Sequence, residues 1–356
     1  MPFSQLLKSL RVALMAALLC STALVSAQEM NEAEKGVWKT GETKAKLAMG
    51  KLNRIVIRSA SAVNGSIEIT TGFVKEAQLT YVKTAKTESR KMALDYLDAL
   101  SVSLDAFGGK ARLEFRAPNP APWSGSTDAG MVTGKLLLPK GTFVEIEASS
   151  FDIKATGPLA GLVIINSLGQ IEATRIDSLV DITTANQKVV LDQISGDISV
   201  TTTNAPLVCS HISTSKVPAR FKNESGDVKL DSVNGSINVR SSFGKIAVTG
   251  FNAGGEGSTI KGASGPISIA LTGLTGGPLV VSNKHEDVEL LVPKSLSAYL
   301  SLSTEEENRI EATGFVFRTE LVQRDRLNLV VGKGEVNVNC TVKGQGSIYV
   351  RGVSVE

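Results

Sequence analysis

The stretch Gly226-Asp227-Val228-Lys229-Leu230-Asp231-Ser232-Val233-Asn234-Gly235-Ser236-Ile237-Asn238-Val239 decides the fold of this chain. Twice within it, a turn glycine is followed by strict alternation of polar and apolar residues, which is typical of a short β-strand. The phrase recurs at 65–69, 196–200, 244–248, 265–269, 334–338 and 346–350. Self-similarity at a short period indicates a stacked β-solenoid.

The spacing of the apolar positions sets the length of one rung. One series, 18 or 21 residues apart, comprises Ile153, Ile171, Val189, Leu207, Val228, Ile246, Ile267 and Val288. A companion series at intervals of 18 comprises Val144, Leu162, Val180 and Ile198. Stacking would bury both series as continuous inner ladders. The sequence therefore predicts an all-β fold, a single parallel β-solenoid (β-helix) with rungs of about 18–21 residues.

The remaining segments predict what precedes and closes the solenoid. Residues 28–50 are polar and suggest a tether, and residues 51–135 predict strands, one amphipathic helix over about 87–100 with Thr87 as its N-cap, and a loop. Residues 136–314 hold the regular rungs. Residues 315–356 are less regular, and we expect them and 51–135 to cover the open strand edges at the two ends.

The N-terminus predicts export. Lys8 and Arg11 precede an apolar run over 12–25 and small residues at 25–27, so residues 1–27 resemble a secretory signal peptide. Lipid anchoring at Cys20 is disfavoured because Leu19 stands where a small residue is expected. We expect a periplasmic, secreted or cell-surface protein with no membrane span after the signal.

The overall charge bears on the binding partner, and the positions of the cysteines bear on whether a disulfide forms. The chain has 38 basic and 35 acidic residues, and loss of the signal leaves it close to neutral, which argues against nucleic acid as the main partner. Cys209 and Cys340 would lie rungs apart, too far for a disulfide, so we expect two small inward-facing side chains.

Carboxylates are the first candidates for chemistry, since a β-helix that cleaves polysaccharides needs several on one face. Asp192, Asp197, Asp227 and Asp231 are available. Asp197 and Asp227 both follow turn glycines and could occupy related corners beside a Lys or Arg. The alternative is that a short polar side chain suits a strand start next to a turn.

Aromatic and metal-binding residues give weaker signals. Trp123, in a loop rich in Pro, Gly and Ser, is a candidate surface contact, although it could equally fold back onto the solenoid. His211 and His285 have no second histidine at ligand spacing. A Ser-His-Asp arrangement stays open in a serine-rich chain, without a motif that supports it. We therefore expect no cofactor, no metal and no catalytic residue.

The order of segments resembles that of the bacterial putative-adhesin family of exported β-solenoid proteins, over roughly residues 50–352. The segments that carry the resemblance are 64–71, the helix-containing insertion 87–100, Leu138-Pro139-Lys140-Gly141-Thr142-Phe143-Val144, Val292-Pro293-Lys294, Leu300-Ser301-Leu302-Ser303-Thr304 and Gly346-Ser347-Ile348-Tyr349-Val350. The resemblance implies an envelope-associated or secreted solenoid without assigned catalytic residues.

Three functions follow from the sequence; we expect the first, because no reactive cluster is present, and keep the other two as alternatives. The first is a non-enzymatic binding or scaffold protein that contacts a protein, a glycan or the cell wall through its long faces. The second is a carbohydrate-active β-helix enzyme, a polysaccharide lyase or hydrolase. The third is a periplasmic scaffold linked to envelope signalling.

Overall fold

The computed structural model describes residues 30–305 and 307–354. The predicted signal peptide at 1–27 and the disfavoured lipid-anchor site at Cys20 lie outside the described residues. Within these described ranges, one helix, α1 (Arg90–Ala99), accompanies 28 strands. The strands are β1 (Met30–Glu34), β2 (Val37–Thr40), β3 (Thr43–Ala48), β4 (Arg54–Ser59), β5 (Asn64–Gly72), β6 (Glu76–Lys86), β7 (Ser101–Phe107), β8 (Lys110–Arg116), β9 (Ala129–Pro139), β10 (Phe143–Glu147), β11 (Phe151–Ile165), β12 (Ile171–Thr183), β13 (Val189–Thr201), β14 (Leu207–Thr214), β15 (Ala219–Asn223), β16 (Val228–Gly235), β17 (Ile237–Ser241), β18 (Ile246–Ala253), β19 (Ser258–Lys261), β20 (Ile267–Leu274), β21 (Leu279–Asn283), β22 (Val288–Pro293), β23 (Ala298–Ser303), β24 (Ile310–Thr313), β25 (Arg318–Val322), β26 (Arg326–Val331), β27 (Val336–Val342) and β28 (Ile348–Val353).

Two stacks of in-register parallel strands form the solenoid. The stack that contains the Ile153 series is called face A, and its members pair residue for residue from Ile153 to Val288. The stack that contains the Val144 series is called face B, and it pairs in the same way from Val144 to Ile198. β11, β12 and β13 each run through both faces, and later rungs use one strand for each. The predicted all-β solenoid and its spacing are confirmed.

Four successive rungs turn from face A towards face B at a residue other than glycine that has a positive φ. Arg175, Gln193, His211 and Ser232 occupy this bend in successive rungs, with φ of 59°, 55°, 52° and 54°. The left-handed region is uncommon for residues other than glycine. The bend is therefore a repeated local strain that the stacked ladders above and below support.

The core consists of the apolar ladders predicted from the alternation. Ile171, Val189 and Leu207 on face A and Leu162 and Val180 on face B are fully buried. Cys209 and Cys340 are also buried and free, as expected of small inward-facing residues. Burial raises the pKa of both thiols well above its usual range.

Both ends of the solenoid are built out of chain order. On face A, β5 lies between β9 and β11, and on face B, β4 lies between β8 and β10. At the other end, β28 lies between β22 and β24, and β27 lies between β21 and β23. Antiparallel strands then cover the outer rungs: β6 on β9, β7 on β8, and β26 on β23.

The tether predicted over 28–50 is wrong for residues 30–48, which form β1, β2 and β3. β2 and β3 pair antiparallel with β6, and β1 pairs with β2. The indole Nε1 of Trp38 donates to the carbonyl of Thr87 at 3.0 Å. These polar strands lie at the outer end of the sheet, where pairing with β6 and of β1 with β2 stabilises a segment whose own residues do not indicate strands.

The predicted helix is present, but its N-cap is Ser89 rather than Thr87. The hydroxyl of Ser89 accepts from the backbone N–H of Met92 at 3.4 Å. Thr87 is buried before the helix, and its N–H donates to the carbonyl of Gly36 at 2.9 Å. No helix in residues 30–305 and 307–354 has the length and apolar composition needed to cross a membrane.

Candidate functional site

Trp123 is a packing residue rather than a surface contact. It is only 6% exposed. Its Nε1 donates to the carbonyl of Ala62 at 2.8 Å, and its ring meets that of Tyr96 edge to face, with 5.5 Å between centroids. A Cβ at Gly130 would come within 2.4 Å of the indole. The loop folds back and fastens the N-terminal strands, which is the alternative to a surface contact that the sequence left open for Trp123.

Asp197 and Asp227 occupy different faces, so the expected related corners are not observed. Asp197 opens the face B part of β13, in register with Leu179, and accepts a hydrogen bond from Ser215 Oγ. Asp227 precedes β16 on face A, and its Oδ1 accepts from the backbone N–H of Lys245 at 2.9 Å. Asp227 thus links two neighbouring rungs by a hydrogen bond at the start of a strand. This is the alternative stated above, in which a short polar side chain suits a strand start next to a turn.

Asp197 lines a cleft of about 280 Å³ together with Asp181 and Arg220. Val217 and Pro218 form its apolar wall. Both carboxylates lie at exposed positions of their strands, whereas a general acid in glycoside cleavage needs an apolar site that keeps it protonated. The cleft brings Asp181, Asp197 and Arg220 together. Neither carboxylate has the apolar surroundings that would make it the acid while the other stays ionised.

Asp192, Ser210 and His211 form a cluster at the bend of the rungs. Ser210 Oγ donates to Asp192 Oδ1 at 2.7 Å, and His211 Nδ1 contacts the same oxygen at 2.8 Å. The hydrogen bonds from His211 and then Ser210 hold the pKa of Asp192 below its usual range. A nucleophilic serine must pass its proton to the histidine. Here both groups contact the carboxylate instead, so the cluster stabilises neighbouring rungs.

A similar contact follows two rungs later, where Thr249 Oγ1 donates to Asp231 Oδ1. This bond, the first of several causes, lowers the pKa of Asp231. Throughout residues 30–305 and 307–354, no group of three or more His, Cys, Asp or Glu side chains is arranged to hold a metal ion.

Face A carries a ladder of opposite charges. Lys135, Glu68, Lys154 and Glu172 are in-register neighbours on the outer side of β9, β5, β11 and β12, and are called the alternating ladder. They line a shallow cavity of about 310 Å³. Opposite charges across neighbouring strands stabilise a sheet. The alternating ladder therefore neutralises itself.

Face B carries a ladder of a single charge. Lys222 on β15 is in register with Arg240 on β17, which is in register with Lys261 on β19. All three side chains are exposed and are called the basic ladder. Neighbouring strands are about 4.8 Å apart, so three cations lie at that interval along the solenoid, although like charges directly opposite one another are destabilising.

The surroundings of the basic ladder do not cancel its charge. The four consecutive face B strands β15, β17, β19 and β21 contain no Asp or Glu, whereas Arg220, which is also on β15, lies in the cleft with Asp181 and Asp197. Glu224, on the corner after β15, is the nearest acid in sequence. Phe243, on the corner after β17, is 62% exposed. Among the described residues, no ion pair within 4.0 Å includes a member of either ladder. The two ladders therefore differ in the charge of the in-register residues on adjacent strands, and not in close ion pairs.

The basic ladder was missed by sequence reasoning, although the signal is present. Lys222, Arg240 and Lys261 are separated by 18 and 21 residues, the same intervals that link Val228, Ile246 and Ile267 in the core. Applying the rung spacing to the polar positions as well as to the apolar ones would have found the ladder.

A family model decides the relationship of this chain to known proteins, since it matches residues 52–276 and carries the description Toastrack DUF4097. The chain belongs to the Toastrack DUF4097 family. The match includes both ladders of this Toastrack chain and confirms the resemblance to putative adhesins at the level of family and fold. No curated protein matches this Toastrack chain.

Two solved structures are similar to this Toastrack chain. One is a putative cell adhesion protein from Clostridium sporogenes, 10% identical, with 88% of this chain and 99% of that chain covered and a TM-score of 0.22. The other is a putative adhesin from Bacteroides fragilis, also 10% identical, with 87% and 97% covered and a TM-score of 0.28. At these identities and TM-scores, neither likeness carries an argument about function.

Proposed function

We propose that this protein is an exported, non-enzymatic binding protein of the cell envelope or cell surface that holds an acidic polysaccharide against its basic ladder. The observation that carries the proposal is the stack of Lys222, Arg240 and Lys261 on strands that contain no acid.

The physical argument rests on the energy of the free and bound surfaces. Three like charges in register cost free energy in the unbound protein. A linear polymer with a carboxylate on each sugar relieves this repulsion and adds charge-assisted hydrogen bonds from Lys and Arg. The straight wall of the solenoid holds the cations in line, so little order has to be gained on binding.

Phe243 favours a glycan over other polyanions. An exposed aromatic ring beside cations offers an apolar surface to the face of a sugar ring, while the cations meet its carboxylate. The ring is close in sequence to Arg240 and lies on the next corner of the same rung. A nucleic acid would require more positive charge than this nearly neutral protein carries.

The direct test is binding to polygalacturonate, with neutral dextran as the comparison polymer. We expect wild-type protein to bind polygalacturonate and to lose affinity as salt is raised. The triple variant Lys222→Gln, Arg240→Gln, Lys261→Gln should bind on the order of 100-fold more weakly, because each cation near an anionic surface contributes about 1 kcal/mol.

A matched control separates this site from general electrostatic attraction. The variant Lys44→Gln, Lys135→Gln, Lys154→Gln removes the same charge from exposed positions. Lys135 and Lys154 are on face A, and Lys44 is on β3, which joins face A through β6. This variant should bind as the wild type does. Equal losses in the two triple variants, or wild-type binding to dextran as tight as to polygalacturonate, would contradict the proposal. DNA of equal charge that binds as tightly would also contradict it.

The cleft formed by Asp181, Asp197 and Arg220 is the observation that favours the second candidate, a carbohydrate-active enzyme. That candidate predicts release of sugars from an acidic polysaccharide and its loss in Asp197→Asn. We expect no release by either protein over a broad polysaccharide panel. Release that depends on Asp197 would overturn the non-enzymatic proposal without bearing on where the polymer binds.

A further inference from the structure

The C-terminal end of face B presents a strand with one unpaired side. β25 pairs antiparallel with β26, which pairs with β23. Among the described residues, no other strand pairs with β25, and the preceding strand β24 pairs with β28. An edge of this kind exposes a row of backbone donors and acceptors that invites another strand.

The exposed apolar side chains of this end cluster on the same segment. Val316 is 89% exposed and Val322 is 71% exposed, and Phe317 is also exposed. Val316 and Phe317, with Val330, line a cleft of about 490 Å³. Exposed apolar residues along an unpaired strand edge are an aggregation risk unless a specific partner covers them.

The sequence of this segment is complementary to itself when read in the opposite direction. Residues 316–322, called the edge segment, read Val-Phe-Arg-Thr-Glu-Leu-Val. An antiparallel pairing centred on Thr319 puts Arg318 opposite the second copy's Glu320. It also puts Phe317 opposite the second copy's Leu321, and Val316 opposite the second copy's Val322. Every charge meets its opposite and every apolar residue meets an apolar residue, as an isologous twofold contact requires.

We propose that the edge segment is a homodimerisation site, in which two copies of this protein pair their β25 strands antiparallel about Thr319. The occupant is a second copy because no unrelated strand has to match this order of residues, whereas an identical one matches it by symmetry. Arg318 and Glu320 lie on the same side of β25, with 3.0 Å between Arg318 Nη2 and Glu320 Oε1. In the dimer, four charges therefore alternate around the twofold axis.

The geometry of β25 limits the strength of this contact. The register with β26 shifts between Thr319 and Leu321, which marks a bulge at Glu320. A bulge increases the local twist and keeps the regular edge short. The dimer is therefore a reversible one that forms with rising concentration, and it does not grow into a fibre because an isologous contact closes on itself.

The test is sedimentation velocity of the purified protein over a concentration series, with charge-reversal variants. Wild-type protein should show a monomer–dimer equilibrium. Arg318→Glu puts Glu opposite Glu, and Glu320→Arg puts Arg opposite Arg, so each variant alone should weaken dimerisation at least tenfold. The control Lys46→Glu reverses a charge on β3, far along the sheet from β25, and should leave the equilibrium unchanged.

Two rescue experiments separate the contact from a folding defect. An equimolar mixture of the Arg318→Glu and Glu320→Arg proteins restores both opposite-charge pairs and should form heterodimers. The double variant Arg318→Glu, Glu320→Arg should recover the homodimer. A wild-type protein that stays monomeric, single variants that dimerise normally, or a mixture without heterodimers would each overturn the proposal. None of these results bears on polysaccharide binding at the basic ladder.

Discussion

The two charged ladders of this solenoid have the same in-register spacing but differ in the order of their charges. On face A, Lys135, Glu68, Lys154 and Glu172 alternate in sign across neighbouring strands. On face B, Lys222, Arg240 and Lys261 repeat one sign across strands with the same spacing. The first arrangement contributes to stability, and the second costs stability unless an anion is present. The comparison indicates that the buried residues of a repeat protein determine its fold. The charges of the outward-facing ladders then determine whether a surface is neutralised by its own residues or keeps a net charge.

The largest effect is expected from making the basic ladder resemble the alternating one. Arg240→Glu places an acid between Lys222 and Lys261, so that one cation is lost and one repulsion towards an acidic polymer is added. We expect polygalacturonate affinity to fall by roughly 30-fold, corresponding to about 2 kcal/mol. The free energy of unfolding should rise by about 0.5–1 kcal/mol, since two like-charge neighbours become opposite-charge neighbours.

Titration with polygalacturonate and denaturant unfolding of the same samples measure both quantities. The control Arg240→Gln removes the charge without reversing it and should fall between the wild type and Arg240→Glu in both. A variant that binds less without any gain in stability would show that the ladder carries no electrostatic cost.

An intermediate effect is expected from the reverse change on face A. Glu68→Lys places a third cation between Lys135 and Lys154, at the centre of the alternating ladder. We expect a loss of about 1 kcal/mol in the free energy of unfolding and a new, weak affinity for polygalacturonate. Denaturant unfolding and the same titration check this. Glu68→Gln serves as the control and should lose less stability and gain no measurable affinity. Unchanged stability in Glu68→Lys would contradict the account of both ladders.

The smallest effect concerns the cluster of Asp192, Ser210 and His211, in which hydrogen bonds stabilise the charge of the Asp192 carboxylate. His211 and Ser210 lower the pKa of Asp192, so the folded protein favours the ionised carboxylate more than the unfolded chain does. This contribution to stability is present above the unfolded pKa, near pH 4, and is lost as the pH falls through the lower folded value. Wild-type protein should therefore lose more thermal stability than Asp192→Asn between pH 5 and pH 3. Parallel curves for the two proteins would refute this role.

The regular rungs could be predicted because their information is local and repeated. Gly226, the alternation after it and the interval to Ile246 are all visible in the sequence, and the parallel register follows once identical rungs stack. A polar residue considered singly does not show to which face it belongs. Asp197 and Asp227 therefore seemed related through their preceding glycines, although they belong to the starts of different faces.

The ends could not be predicted because their pairing is not local. Nothing in the order of residues indicates that β4 and β5 insert between later strands, or that β27 and β28 insert between earlier ones. The polar segment 30–48 forms strands only because β6 accepts it as a neighbour. Trp123 was ambiguous for a similar reason, since its hydrogen bond to Ala62 and its packing against Tyr96 join segments that are distant in sequence.

The central claim is tested most directly by lysine footprinting with and without polygalacturonate, because both ladders report within one protein. An amine-reactive reagent labels exposed lysines, and mass spectrometry compares Lys222 and Lys261 on the basic ladder with Lys135 and Lys154 on the alternating ladder. The account predicts that the polymer protects Lys222 and Lys261 several-fold and leaves Lys135 and Lys154 labelled as before. Equal protection of the two pairs, or protection of Lys135 and Lys154 alone, would contradict it.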